Sequence, residues 1–140
     1  MIGTDRIEVR RLVAAPVAEV FRWWSEPALL ERWMSPIGTV EAEVDLRVGG
    51  NLRIVMKGEA VEIEHRGHFV EIDPPRRLAF TWESIYTNGP SLVTVSFERD
   101  GDAATNVVIV HSRLSPGAAA SHAGGWAAML DRLGRELVTE

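Results

Sequence analysis

The sequence has 140 residues, no cysteine and a formal net charge of −5. The missing thiols exclude disulfides, thiolate nucleophiles, zinc ribbons and iron–sulfur clusters, and the acidic balance argues against nucleic acid as a partner, because phosphates are neutralised by basic surfaces. Hydrophobic residues make up 46% and charged residues 25%, the composition of a globular chain long enough to bury a core. No stretch approaches the roughly 20 apolar residues of a membrane span. The opening MIGTDRIEVRR carries charges where a signal peptide needs an apolar run. A single cytoplasmic domain over residues 1–140 is therefore expected, without membrane insertion.

Ile7 to Val13 mixes Ile, Val, Leu and Arg in partial alternation, which predicts a first strand. In APVAEVFRWWS the apolar positions Val17, Val20, Phe21 and Trp24 fall on one helical face, with Pro16 at the start. SEPALLERWM predicts a second short helix, capped by Ser25, with Leu29, Leu30, Trp33 and Met34 as its buried stripe. Val40, Ala42, Val44 and Leu46 alternate with acidic residues and predict a half-buried strand. Val48 to Asn51 is expected to be a tight hairpin leading to Leu52, Ile54 and Met56. Val61, Ile63, His65, Gly67 and Phe69 share the next inward face, and a slip in alternation near Val70 to Ile72 predicts a bulge.

After the turn at Asp73-Pro74-Pro75, Leu78, Phe80, Trp82, Ser84 and Tyr86 are expected on one strand face. Val93, Val95 and Phe97 face inward on the following strand, and Thr105, Val107, Ile109 and His111 on the last. Ser115-Pro116 then opens a helix to about Val138, with His122, Trp126, Met129 or Leu130, Leu133 and Leu137 as its inward stripe. The order is strand, two short helices, six antiparallel strands and one long helix. That predicts an α+β fold in which a curved sheet of about seven strands is covered by the last helix.

VAAPVAEVFRWWSEPALLERWM, DLRVGGNLRIVM, DPPRRLAFTWES, TNVVIVHSRL and HAGGWAAMLDRL resemble successive motifs of the AHSA-type family. These are bacterial relatives of the C-terminal domain of the activator of the heat-shock chaperone ATPase, within the START-like (SRPBCC) superfamily. The resemblance runs from about Ile7 to Leu137. It implies the helix-grip fold, a cavity between sheet and helix, and binding of a hydrophobic molecule there. It also implies two other activities known in relatives: a cyclase-like or hydrolase-like reaction on a hydrophobic carbonyl compound, and a chaperone-associated role in the stress response. The activator's additional N-terminal chaperone-binding domain has no counterpart in these 140 residues, so ligand binding is the leading expectation.

The inward faces nominate Phe69, Phe80, Trp82, Val93, Val95, His111, Trp126, Met129 and Leu133 as lining of that cavity, with His65, His122 and Tyr86 as polar anchors. The plainer reading of His111 and His65 is a core histidine bonded to backbone, serine or Tyr86. If a reaction occurs, one of the two must supply the acid–base group. HRGH, His65 to His68, has metal-like spacing only on a helix; on a strand the two rings point to opposite faces, so neither metal nor cofactor is expected. Arg53, Arg66, Arg76 and Arg77 are expected in solvent, as are Glu62 and Glu64. No nucleophile elbow, P-loop or dinucleotide fingerprint occurs. Partners are therefore expected to be a small hydrophobic molecule and, through an edge strand, a second copy of the chain. Gly124-Gly125 stands out, since each glycine inside a helix costs about 1 kcal/mol relative to Ala. The pair implies close packing against a neighbouring backbone, a widening of the cavity, or a flexible point that lets the helix move to admit ligand.

Overall fold

A computed structural model describes residues 5–139; Met1 to Thr4 of the opening segment and Glu140 lie outside the described residues. In chain order the elements are β1 (Asp5–Val13), α1 (Val17–Ser25), α2 (Pro27–Leu30), β2 (Thr39–Val44), β3 (Asn51–Lys57), β4 (Glu62–Asp73), β5 (Arg77–Trp82), β6 (Ser91–Asp100), β7 (Ala104–Leu114) and α3 (Ala119–Thr139). The strands form one antiparallel sheet in the order β1-β7-β6-β5-β4-β3-β2. α1 and α2 carry the chain from β1 at one edge to β2 at the other. Successive connections then walk back until β7 pairs with β1. The curved sheet wraps α3, giving the α+β architecture expected.

Period-two alternation places the core on the concave face. Leu52, Ile54 and Met56 of β3, Leu78, Phe80 and Trp82 of β5, Val93, Val95 and Phe97 of β6, and Thr105, Val107, Ile109 and His111 of β7 are all buried. Trp126, Met129, Leu130, Leu133 and Leu137 of α3 meet them. The bulge expected near Val70 appears as a register shift between Phe69 and Glu71. α1 buries Val17, Val20, Phe21, Trp23 and Trp24. Its Trp24 stacks near Trp126, with ring centroids 6.1 Å apart, and crosses Trp33 edge-on at 4.6 Å. Such ring pairs contribute about 0.5–1.5 kcal/mol each beyond their burial.

Several expected boundaries differ. The second helix closes after a single turn, Pro27–Leu30. Ser25 does not cap it: its hydroxyl donates back to the Phe21 carbonyl at 2.9 Å inside α1, and Glu26 occupies the N-cap position. Trp33 and Met34 are nonetheless buried, carried by turns rather than helix. The segment 48–51 is no tight hairpin. Residues 45–50 form a longer loop whose Gly49 N–H donates to the Phe69 carbonyl and whose Gly50 carbonyl accepts from the Phe69 N–H. β5 stops at Trp82, so Ser84 and Tyr86 sit in the following turn and not on its face. α3 begins at Ala119, because Ser115 to Ala118 form a turn.

Polar ties hold the C-terminal half of α3. Arg11 of β1 pairs with Asp131. Arg32 pairs with Glu136 at 2.9 Å. Arg132 donates to the Ser35 and Gly38 carbonyls at 3.2 and 3.1 Å. Gly134 lets the Arg11 guanidinium lie across the helix, 3.0 Å from where a Cβ would stand.

Gly67 on β4 permits the closest approach in the sheet, since a Cβ there would fall inside the Thr81 carbonyl of β5. Gly67→Ala must push two strands apart and is expected to lower the unfolding free energy by about 2–4 kcal/mol. Gly124→Ala, in open space on α3, is expected to raise it by about 0.5–1 kcal/mol. Urea unfolding of both variants measures the two signs.

Candidate functional site

A cavity of about 300 Å³ lies under the N-terminal half of α3. β5 contributes Trp82, β4 contributes His65 and Ile63, and β3 contributes Met56; Gly125, Trp126, Met129, His122 and Ser121 come from α3. Pro36 and Tyr86 complete the wall from the two flanking loops. No carboxylate, lysine or arginine is among these residues. The walls are aromatic. The Trp82 and Trp126 rings stand 5.5 Å apart, and His65 stacks on Trp82 at 4.4 Å with 25° between planes.

Of the residues nominated from inward faces, Trp82, Trp126 and Met129 line this space, together with all three polar anchors, His65, His122 and Tyr86. Phe69, Phe80, Val93, Val95, His111 and Leu133 do not. They are 0–1% exposed and packed behind the walls as core. Met56, Ile63, Pro36, Ser121 and Gly125 join the lining. Met56 and Ile63 are cross-strand partners two pairs along from Ile54 and His65, on the same face, so the His65 strand face already pointed to them. Pro36 and Ser121 belong to loop and helix-start positions that no periodicity marks.

The glycine pair has an answer. Nothing lies within 4 Å of where a Cβ would stand on either Gly124 or Gly125. Close packing against a backbone is therefore not their role, and Gly125 forms part of the cavity wall.

One directional chain of hydrogen bonds fixes the floor of the site. The Trp126 indole N–H can only donate, and it donates to His111 Nδ1 at 3.0 Å. His111 must then carry its proton on Nε2, which donates to Ser91 Oγ at 2.7 Å. The Ser91 hydroxyl in turn donates to the Trp82 carbonyl at 2.5 Å. Both nitrogens of His111 are committed, so it cannot take up a proton without losing the Trp126 bond. Burial, reinforced by the nearby His122 and His65 rings, pushes its pKa down to about 3.

His65 is 6% exposed. Burial pushes its pKa down to about 4, the Ile54 carbonyl opposing and the His122 ring adding to the shift. Its Nδ1 is buried and has no hydrogen-bond partner. His122 meets His111 edge-on at 5.0 Å. Its Nδ1 lies 2.8 Å from the Ala118 carbonyl. A carbonyl only accepts, so Nδ1 carries a proton, and in the neutral ring the lone pair lies on Nε2.

The remaining candidates lie elsewhere. His68 points away from His65 and meets Thr81 Oγ1 at 3.3 Å. Among the described residues no three His, Asp or Glu side chains are grouped to hold a metal ion. Arg53 pairs with Glu43 and Glu64, Arg66 with Glu64, Arg76 with Asp73 and Arg77 with Glu71. Arg66 first and Arg53 second hold the Glu64 carboxyl down to about 2. No described helix is long and apolar enough to cross a membrane.

A curved antiparallel sheet closed by one long C-terminal helix, with a cavity left between them, defines a helix-grip protein of the START-like class. The chain belongs to the family of Activator of Hsp90 ATPase homolog 1-like proteins, whose family model matches residues 14–137. Among solved structures it is similar to a protein from Rhodobacter sphaeroides, at 23% identity and a TM-score of 0.84 over 99% of both chains. It is also similar to CalU16 from Micromonospora echinospora, at 26% identity and a TM-score of 0.73 over 96% of this chain and 83% of that one. An HSP90 activator from Plasmodium falciparum is 25% identical, with a TM-score of 0.65 over 78% of this chain and 73% of that one. No match is found among curated proteins.

The two buried histidines make stability depend on pH. Both have folded-state pKa values below the ordinary 6.5, at about 4 and about 3, so the unfolded chain binds more protons between those limits. Their contribution is full above pH 6.5 and is lost as pH falls. The unfolding free energy is expected to drop by up to about 1.4 kcal/mol per pH unit for each histidine below pH 6. Urea titrations between pH 7 and pH 5 measure the slope, and His65→Phe should remove one proton's share of it.

Proposed function

We propose that the protein binds a small hydrophobic or amphipathic molecule in the cavity under α3. The observation that carries this reading is the open space at Gly125. A helix position that costs stability, touches nothing and opens onto an apolar cavity is spent on volume. Ligand sites are typically such clefts, mainly apolar with a few placed polar groups. An apolar cavity of 150 Å³ holds a benzene, so about 300 Å³ suits a molecule of about two rings. The two tryptophan walls, the buried His65 and the absence of charged lining residues support the same reading. A reaction using His111 as its base is disfavoured, because both its nitrogens are engaged.

Membership of the activator family, together with the likeness to the Plasmodium HSP90 activator, favours a second reading as a chaperone-associated module. Stimulation of an Hsp90 ATPase by the purified chain would establish it, and an unchanged ATPase rate would remove it.

The binding reading is tested by screening small apolar compounds for saturable quenching of tryptophan fluorescence. Trp82 and Trp126 report directly, since both form the walls. Gly125→Leu is expected to weaken any hit at least tenfold while leaving thermal stability equal or higher, because a good helix former replaces glycine. Wild-type protein that binds nothing, or a Gly125→Leu variant that binds equally well, overturns the assignment to this cavity.

A further inference from the structure

We infer that the ligand of this cavity is an uncharged aromatic molecule carrying a hydroxyl group, held against the aromatic wall with its hydroxyl donating to His122 Nε2. The inference rests on the binding reading above and names the chemistry of what is bound.

Three observations converge. The first is charge. The lining contains no Asp, Glu, Lys or Arg, so neither a cation nor an anion finds a counter-charge, and burying an unpaired charge is costly. The second is the chemistry of the wall. Trp82, Trp126 and His65 pack on one another at centroid distances of 4.4–5.5 Å and form an aromatic wall, against which an aromatic guest packs by its face or its edge.

The third is the hydrogen-bond inventory. His111 has no capacity left. His122 has its Nδ1–H committed to the Ala118 carbonyl, which leaves Nε2 as an acceptor on a ring that lines the cavity. An acceptor in an apolar wall costs stability when it is left unpaired, so the wall asks its guest for a donor. A hydroxyl supplies one on an uncharged molecule. A methyl or a halogen does not. A carboxylate accepts but does not donate, and would meet the Nε2 lone pair with its own.

The test compares 2-naphthol, naphthalene and 2-naphthoate at neutral pH by tryptophan quenching, with Gly125→Leu as the control for the site. 2-Naphthol is expected to bind about tenfold tighter than either of the others, the worth of one buried hydrogen bond. His122→Leu should reduce its affinity to that of naphthalene. Equal affinity of naphthol and naphthalene, tighter binding of naphthoate, or a preference that survives His122→Leu overturns the inference, as does failure of all three to bind. Naphthalene bound at the cavity without a hydroxyl preference overturns this inference and leaves the binding reading standing. An empty screen of apolar compounds overturns the binding reading itself. Nitrogen-15 NMR of the His122 imidazole gives a readout that needs no variant. Nε2 should resonate as an unprotonated nitrogen in the free protein and shift with naphthol but not with naphthalene. A protonated Nε2 in the free protein contradicts the inference.

Discussion

The indole N–H of Trp126 is the constraint around which the interior is organised. An indole nitrogen can donate and nothing else, and this one is buried at the centre of the fold. His111 meets that need with a lone pair. Having accepted on one side of its ring it must donate on the other, and Ser91 relays that proton direction to the Trp82 carbonyl. Four elements, α3, β7, β6 and β5, are thereby brought into one register by three bonds of 2.5–3.0 Å. The bonds carry orientation as well as energy: the two tryptophans that wall the cavity are fixed by opposite ends of the same chain. A neutral histidine with its proton on Nε2 is the form that satisfies both neighbours, and so burial in this place and a depressed pKa are consequences of one arrangement.

The five tryptophans divide by what their second face meets. Trp23, Trp24 and Trp33 are enclosed on all sides. Arg32 lies over the Trp23 ring at 4.7 Å, and the Trp33 indole donates to the Trp23 carbonyl at 3.0 Å. They form the filled part of the fold, where Trp24 stacks near Trp126 and the segment after α2 is tied to the C-terminal half of α3 through Arg32, Ser35 and Gly38. Trp82 and Trp126 have core on one side and the cavity on the other. The interior therefore grades from solid to hollow along a single helix, and the glycines stand at the hollow end.

Much of this was legible in the residues. Strand alternation located seven strands and their inward faces, and the bulge after Phe69 followed from one break in that alternation. What period-two patterning cannot say is whether an inward face meets another side chain or a space. Phe69, Phe80, Val93, Val95 and Leu133 point inward as expected, but all five are packed into the core cluster at 0–1% exposure. The cavity survives only farther along α3, at His65, Trp82 and His122. The glycine pair was conspicuous in the sequence, but only the positions of surrounding atoms decide between contact and space. Helix length failed at α2 because the apolar spacing of Leu29, Leu30, Trp33 and Met34 is satisfied equally by a succession of turns. The tight hairpin at Gly49-Gly50 failed because the connection runs over residues 45–50, with Gly50 bonded back to Arg47 and the two glycines also bonded to Phe69, far away in sequence.

The ties on α3 are distributed unevenly, and that has a mechanical consequence. Asp131, Arg132 and Glu136 clamp its C-terminal half to β1 and to the segments around Arg32, Ser35 and Gly38. Trp126 is fastened at the middle. Ahead of it, Gly124 and Gly125 touch nothing on their open side, and the turn before Ala119 bonds chiefly to itself. The helix is thus a cantilever: clamped at one end, propped at its midpoint, with its most compliant joint just beyond the prop. Any load on the free end, whether a guest entering or one leaving, concentrates its bending at the two residues with the least to resist it.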